Sequence, residues 1–202
     1  MKKNILLLLI PTIILTVCCA GRPKYFTNYY TGEYTGLDTL INTKGIYLSQ
    51  RINDSSRFSM IMFYNNGIFA SGDNYSIISV VIDCFDGSMG KCEGLVWGSY
   101  KIVKDTIKTQ QLWDEGVYGK YIIYRDYFIL SDRKILLISD YMLEDNKKAY
   151  LNKYKYRKNP LYLFENVPPC RFYPLETKRD STQCPLLKKK WFWKKGVFSL
   201  KK

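Results

Sequence analysis

The chain has 202 residues, enough for one domain with a sizeable core, and its 47% apolar content argues against wholesale disorder. It contains no histidine, which removes Ser-His and Cys-His nucleophile pairs and the usual zinc sites. The formal net charge is +13, but the basic excess lies in residues 147–158 and 188–202 and in the leader. It reflects either a Lys-rich composition or contact with an anionic partner.

Residues 1–18 have the layout of a secretory signal peptide. Lys2 and Lys3 precede an apolar run over residues 5–17, and small residues follow it. A transmembrane span needs about 20 apolar residues, so an uncleaved membrane anchor is the minor alternative. We therefore predict that the chain is exported.

Two adjacent cysteines lie where this leader would be cleaved. The segment LTVCC, residues 15–19, resembles the lipobox of bacterial lipoproteins, in which a cysteine becomes the lipidated first residue. The resemblance implies lipid attachment at Cys19, with Cys18 as the alternative. Cleavage after Ala20 would instead release a soluble secreted protein.

Four cysteines remain once the leader is removed and Cys19 carries the lipid. An even number suits disulfide pairing in an oxidising compartment. Local pairing predicts Cys84 with Cys92, across a loop that contains two glycines, and Cys170 with Cys184. The alternative is four reduced, buried thiols.

Residues 19–44 are polar and without clear period, so we predict a tether or an irregular N-terminal cover. From Gly45 onward, strand-like apolar runs alternate with turn residues such as Asn65-Asn66-Gly67. The predicted strands are 45–51, 57–64, 68–72, 75–85, 94–103, 106–113, 118–130, 134–143, 150–157 and 161–165. The fold class is mainly β: an antiparallel meander that closes into a barrel of about eight to ten strands and so hides its edges.

One strand pattern carries a family resemblance. The run WGSYKI, residues 97–102, is followed by a tight turn and Ile107-Lys108. It resembles the repeated strand pattern of small lipocalin-like lipoproteins of bacteria. The resemblance covers about residues 45–165 and implies a lipocalin-like β-barrel. Such a barrel is either a ligand-holding calyx or packed with side chains.

Acidic residues give no predicted catalytic, metal or cofactor site. A cation site and a solvated turn are the two interpretations of Asp83, Asp86 and Glu93, and the solvated turn is favoured. Paired carboxylates of a hydrolase could come from Asp114, Glu115, Asp126 and Asp132, although acids near turns are common.

The C-terminal part, residues 166–202, is predicted to be a disulfide-stapled loop followed by a basic aromatic tail. If the tail is extended, Trp191 and Trp193 share one face and Phe192 takes the other. The tail is a docked strand, a membrane contact or a ligand platform. The predicted membrane or ligand contacts are Lys188, Lys189, Lys190, Trp191, Trp193, Lys194 and Lys195.

The sequence thus predicts a lipid-anchored bacterial cell-envelope protein that is a binding or structural module. Its predicted partners are the membrane, through the N-terminal lipid, and either anionic envelope components or a small apolar ligand. An exported protein rarely meets nucleic acid, so we predict no such partner. The alternative function is a secreted or periplasmic hydrolase that uses paired carboxylates.

Overall fold

The computed structural model describes residues 23, 26–27, 29–51, 54–90, 92, 94–114, 120–144 and 168–193. Within these ranges, eight strands form a closed antiparallel barrel in which every strand pairs with its neighbours in sequence and the last pairs with the first. The strands are β1 (Gly45–Arg51), β2 (Asp54–Phe63), β3 (Ile68–Tyr75), β4 (Val96–Val103), β5 (Thr106–Asp114), β6 (Lys120–Ser131), β7 (Lys134–Glu144) and β8 (Cys170–Pro174). The predicted antiparallel meander and its closure into a barrel are confirmed.

The strand predicted over residues 75–85 is wrong in most of its length. After β3 ends at Tyr75, the chain forms helix α1 (Ile78–Asp86). Its β-branched residues favoured a strand, but Val81, Cys84 and Phe85 follow the i, i+3, i+4 spacing of one helical face, and all three are buried. Packing of this face overrides the local β propensity.

The strand that closes the barrel lies in the segment predicted to be a stapled loop. In β8, Tyr173 pairs with Ile46 of β1, and Cys170 pairs with Ile135 of β7. The barrel therefore extends past the predicted boundary at residue 165. The strands predicted over 150–157 and 161–165 lie outside the described residues.

Aromatic side chains fill one end of the barrel lumen. Phe63 on β2 contacts Tyr100 on β4 and Tyr127 on β6, with ring centroids 5.4 and 6.3 Å apart. Because β2 neighbours neither of these strands, the rings meet across the lumen. Tyr47 and Phe69 complete the group. This end of the barrel is packed with side chains and does not form a calyx.

An N-terminal segment closes the same end of the lumen. A short 3-10 helix, Leu37–Thr39, buries Leu37 against the aromatic group, and Ile41 follows it there. The single hydrogen atom of the Tyr47 hydroxyl is shared between two carbonyl acceptors, Asp132 at 2.7 Å and Asn42 at 3.0 Å. The part of residues 19–44 that the structure describes therefore packs as an irregular cover.

A second apolar layer covers the outside of the barrel. The outward side chains of the strands include Ile46, Met60, Met62, Ile68 and Trp97, all of which are buried. Three elements cover them: the N-terminal segment around Phe26 and Tyr30, helix α1, and residues 184–193. Parts of the first four strands are therefore buried on both faces.

Gly98 provides a test of the packing inside the barrel. A Cβ atom at this position would lie 2.4 Å from the backbone oxygen of Gln110 and 2.5 Å from the ring of Phe69. We expect Gly98→Ala to lower the free energy of unfolding by about 2 kcal/mol through overpacking. Urea unfolding measures this change. Gly90→Ala is the control, because no atom lies within 4 Å of its added Cβ, and equal loss in both variants would contradict the packing argument.

Candidate functional site

The outer layer leaves a concave groove beside β4 and β5. The groove encloses about 470 Å³, a volume within the usual range of small-molecule sites. Residues from the start of β4, the end of β5 and the C-terminal segment line it: Gly94, Leu95, Val96, Trp97, Leu112, Trp113, Pro185, Leu186, Lys189 and Trp191. Three indole rings and several aliphatic side chains make the lining mostly apolar.

Backbone structure fixes each wall of the groove. On the barrel side, Trp97 points outward from β4 and stacks on Tyr64, with centroids 5.8 Å apart and the rings 20° from parallel. On the opposite side, two 3-10 helices, Pro185–Lys188 and Lys190–Phe192, turn the chain so that Leu186 is buried. The groove is therefore formed between a strand face and a docked C-terminal segment.

The basic aromatic tail is docked, but it is not a strand. Lys190–Phe192 is a 3-10 helix, so the extended conformation that would place Trp191 and Trp193 on one face is not formed. Trp193 is buried, and its indole N–H donates to the Leu187 carbonyl at 3.0 Å. Phe192 stacks on Tyr30 with ring centroids 5.0 Å apart. These aromatic side chains complete the outer core.

The predicted contact residues of the tail separate into two groups. Trp191 lines the groove and packs edge-on against Phe26, at 5.3 Å between centroids. Lys188, Lys189 and Lys190 are exposed, and none has an acidic partner among the residues that the structure describes. Of these lysines, Lys189 lines the groove. The predicted contacts Lys194 and Lys195 lie outside the described residues.

The cysteines follow the prediction for one pair and depart from it for the other. Cys84 and Cys92 form a disulfide, as predicted. Cys170 and Cys184 are free and buried, so the second predicted bond is not formed. They cannot meet because Cys170 packs in the barrel lumen and Cys184 packs in the outer layer. Burial raises the pKa of the Cys170 thiol to about 11 and that of Cys184 to about 12.

Arg179 holds the C-terminal segment on helix α1. Its Nε donates to the Cys84 carbonyl at 2.9 Å, and another guanidinium nitrogen donates to the Met89 carbonyl. The same side chain lies 3.4 Å from Cys92 Sγ. Arg179 is buried, and its contacts join the end of the helix, the disulfide loop and the tail. No local pattern in the sequence indicates this role, since the contacts span about ninety residues.

The other half of the lumen contains a charged cluster that was not among the predicted site residues. Arg125 on β6 binds the Asp73 carboxylate of β3 at 2.9 Å and lies 3.4 Å from the Asp140 carboxylate of β7. The pair with Asp73 crosses the lumen, because β3 and β6 are not neighbours. Burial alone would lower the pKa of Arg125, but the two carboxylates raise it overall. The strand alternation indicates two of these charges, because Asp73 and Arg125 occupy inward positions. Asp140 faces inward only because the register of β6 and β7 shifts between Asp126 and Tyr127.

Of the carboxylates proposed for a hydrolase, the two whose side chains the structure describes, Asp126 and Asp132, do not form a facing pair. Asp126 on β6 binds Lys108 of β5 at 2.9 Å. Asp132 lies six residues further along, at the β6–β7 turn, a separation of about 20 Å along an extended strand. The side chain of Asp114 and residue Glu115 lie outside the description.

The acidic loop after α1 shows turn contacts. The Asp86 carboxylate accepts a hydrogen bond from the Ser88 backbone N–H at 2.7 Å, while Asp83 is exposed and Glu93 lies outside the description. In the described ranges, no group of three His, Cys, Asp or Glu residues could hold a metal ion.

Comparison with known proteins identifies no similar protein. No protein-family profile, no curated protein and no solved structure matches the chain. Among the residues that the structure describes, no helix is long and apolar enough to cross a bilayer.

The charged cluster predicts a pH-dependent stability. Burial raises the pKa of Asp140, and Arg125 partly offsets this rise. The folded barrel therefore binds the Asp140 proton more tightly than the unfolded chain, so stability is lost as the pH rises through the folded-state pKa. We expect Arg125→Met to lower the free energy of unfolding by about 2–3 kcal/mol at pH 7, because it removes the cation that Asp73 and Asp140 share. The loss should be smaller at pH 4.

The solvent exposure of the cluster limits the expected loss of stability, and the Lys108–Asp126 ion pair provides a control. The side chains of Arg125, Asp73 and Asp140 are 16%, 33% and 28% exposed, so the loss stays below that of a fully buried pair. Lys108→Met removes the ion pair to Asp126 and should cost less than about 1 kcal/mol. Urea unfolding at both pH values measures the difference. Equal and pH-independent losses in the two variants would show that the cluster has no special role.

Proposed function

We propose that the protein is an exported, lipid-anchored cell-envelope protein that binds a small ligand in the groove beside β4 and β5. The groove is the observation that carries the proposal. It combines a suitable volume with a mostly apolar lining and one cationic side chain, Lys189. Such a combination of an apolar concavity and few polar groups is typical of small-molecule sites.

The packing of the barrel favours the groove, and not the lumen, as the place where a ligand binds. One half of the lumen is filled by aromatic rings in mutual contact, such as Phe63 and Tyr100. The other half is crossed by the ion pair between Arg125 and Asp73. A ligand in the lumen would have to displace packed rings or a bound charge, whereas a ligand in the groove displaces water.

Export and anchoring are supported by the leader pattern and by the disulfide. Lys2 and Lys3, the apolar run and the Cys18-Cys19 pair have the order of a lipoprotein signal. The Cys84–Cys92 disulfide suits an oxidising compartment. The free thiols are compatible with that compartment, because buried thiols of raised pKa are poor nucleophiles.

The exposed lysines support contact with anionic envelope components. Lys188 and Lys190 flank the groove residue Lys189 in the sequence, and all three are solvent-exposed. The indole of Trp193 is buried in the outer apolar layer. Insertion of that ring into a bilayer would therefore require the tail to detach from the barrel. We assign the lysines, and not the buried aromatics, to this contact.

The anchor is tested by the intact mass of the mature protein after growth with a labelled acyl donor. We expect the wild type to begin at Cys19 and to carry the label. Cys19→Ser should lose the label, and Cys18→Ser should keep it. An unmodified N-terminus at Gly21 would contradict the anchor, and loss of label only in Cys18→Ser would move the attachment site.

The ligand site is tested by filling the groove. Val96 lines the groove at the start of β4, and Val103 is 42% exposed at the other end of the same strand. We expect Val96→Trp to weaken binding of the neutral probe N-phenyl-1-naphthylamine at least about tenfold, since the added indole occupies the apolar space. Val103→Trp is the matched control and should bind like the wild type.

Probe fluorescence in titrations of the mature protein gives the affinities, and urea unfolding confirms that both variants are folded. Equal binding by Val96→Trp and the wild type would place any ligand site outside the groove.

A further inference from the structure

We infer that the groove selects an amphiphile with an apolar body and a single anionic head group, a carboxylate being the simplest case, and that Lys189 binds this head group. The inference rests on the proposed function, because it specifies the ligand of the same groove. Three observations carry it: the chemistry of the lining, the position of Lys189 and the unsatisfied indole of Trp191.

The lining matches an apolar body. Its described side chains are aliphatic or aromatic apart from Lys189, and none of them carries a carboxylate, an amide or a hydroxyl group. A polyhydroxylated sugar would find few side-chain partners for its hydroxyl groups there, and each unpaired group would cost free energy on burial. Among the described lining side chains, a cationic ligand would meet the ammonium group of Lys189 and no carboxylate.

The backbone holds Lys189 at a fixed place in the groove wall. Lys189 joins the two 3-10 helices, and its N–H donates to the Leu186 carbonyl at 2.9 Å. Its own carbonyl accepts from the Phe192 N–H at 3.0 Å. The Lys189 side chain is exposed and has no acidic partner among the described residues. An anionic head group would therefore gain a charge-assisted hydrogen bond without breaking an existing ion pair.

Trp191 supplies a second donor close by. Its Nε1 is buried and has no hydrogen-bond partner in the described part of the chain. A buried donor without an acceptor costs about 1–3 kcal/mol, so native structures rarely retain one without a reason. Trp191 lines the groove, so a bound head group would bring an oxygen acceptor to the side chain whose donor lacks one.

The shape of the site favours a single molecule over a bilayer surface. A membrane contact needs apolar side chains that project from the surface, whereas the neighbouring Phe192 and Trp193 are buried in the outer core. The apolar surface near Lys189 is concave instead. We therefore commit to a monomeric amphiphile as the occupant.

Displacement of N-phenyl-1-naphthylamine from the mature protein tests the inference with two ligands of equal chain length, decanoate and decanol. Measurements at pH 7.5 and low salt should give tighter binding of decanoate by about three- to tenfold, the range expected for a partly exposed ionic contact. We expect Lys189→Gln to remove this preference and to leave decanol binding unchanged. Lys190→Gln is the matched control, because Lys190 is also exposed and is not among the residues that line the groove.

The outcomes separate the inference from the proposed function. Equal affinity for decanoate and decanol, with no effect of Lys189→Gln, would overturn the inference and leave the groove as an apolar site. Loss of the decanoate preference in Lys190→Gln, but not in Lys189→Gln, would also overturn it. Failure of the probe and both ligands to bind the wild type would overturn the proposed function itself.

Discussion

The strands at the start of the barrel are apolar on both faces, and the remaining structure follows from this constraint. Residues 60–64 of β2 and the turn after it are all buried, with alternate side chains entering the lumen and the outer layer. An up-and-down barrel in water normally needs one buried face. Here the outer face also has to be covered, and a barrel of eight strands alone would expose Met60, Met62 and Trp97 to solvent.

The cover explains the roles of the segments outside the sheet. Helix α1 and the C-terminal segment pack on the outer face, and the Cys84–Cys92 disulfide and Arg179 hold them together. Both links act at the end of the helix, where Arg179 also satisfies a backbone carbonyl that would otherwise lack a partner. The cover is incomplete beside β4 and β5, and this gap is the groove.

Local patterns predicted the elements whose neighbours lie close in sequence. The hairpin of β2 and β3 and the hairpin of β4 and β5 were predicted because alternation and turn residues agree there. Helix α1 was missed because β-branched residues hide a short helical face, and β8 was missed because its five residues gain their stability from β1 and β7. The groove and Arg125 cluster join residues distant in sequence, which a single sequence does not reveal.

The polar contacts inside the barrel also explain why the lumen is unsuited to binding a ligand. The Arg125–Asp73 pair joins β6 to β3 across the lumen, and the Ser71 hydroxyl donates to the Gln111 side-chain oxygen at 2.7 Å between β3 and β5. These contacts satisfy polar groups that would be costly if left unpaired inside the barrel. A ligand that entered the lumen would have to replace each of them. The described lining of the outer groove is mostly apolar, so a ligand bound there would leave the packing of the interior unchanged.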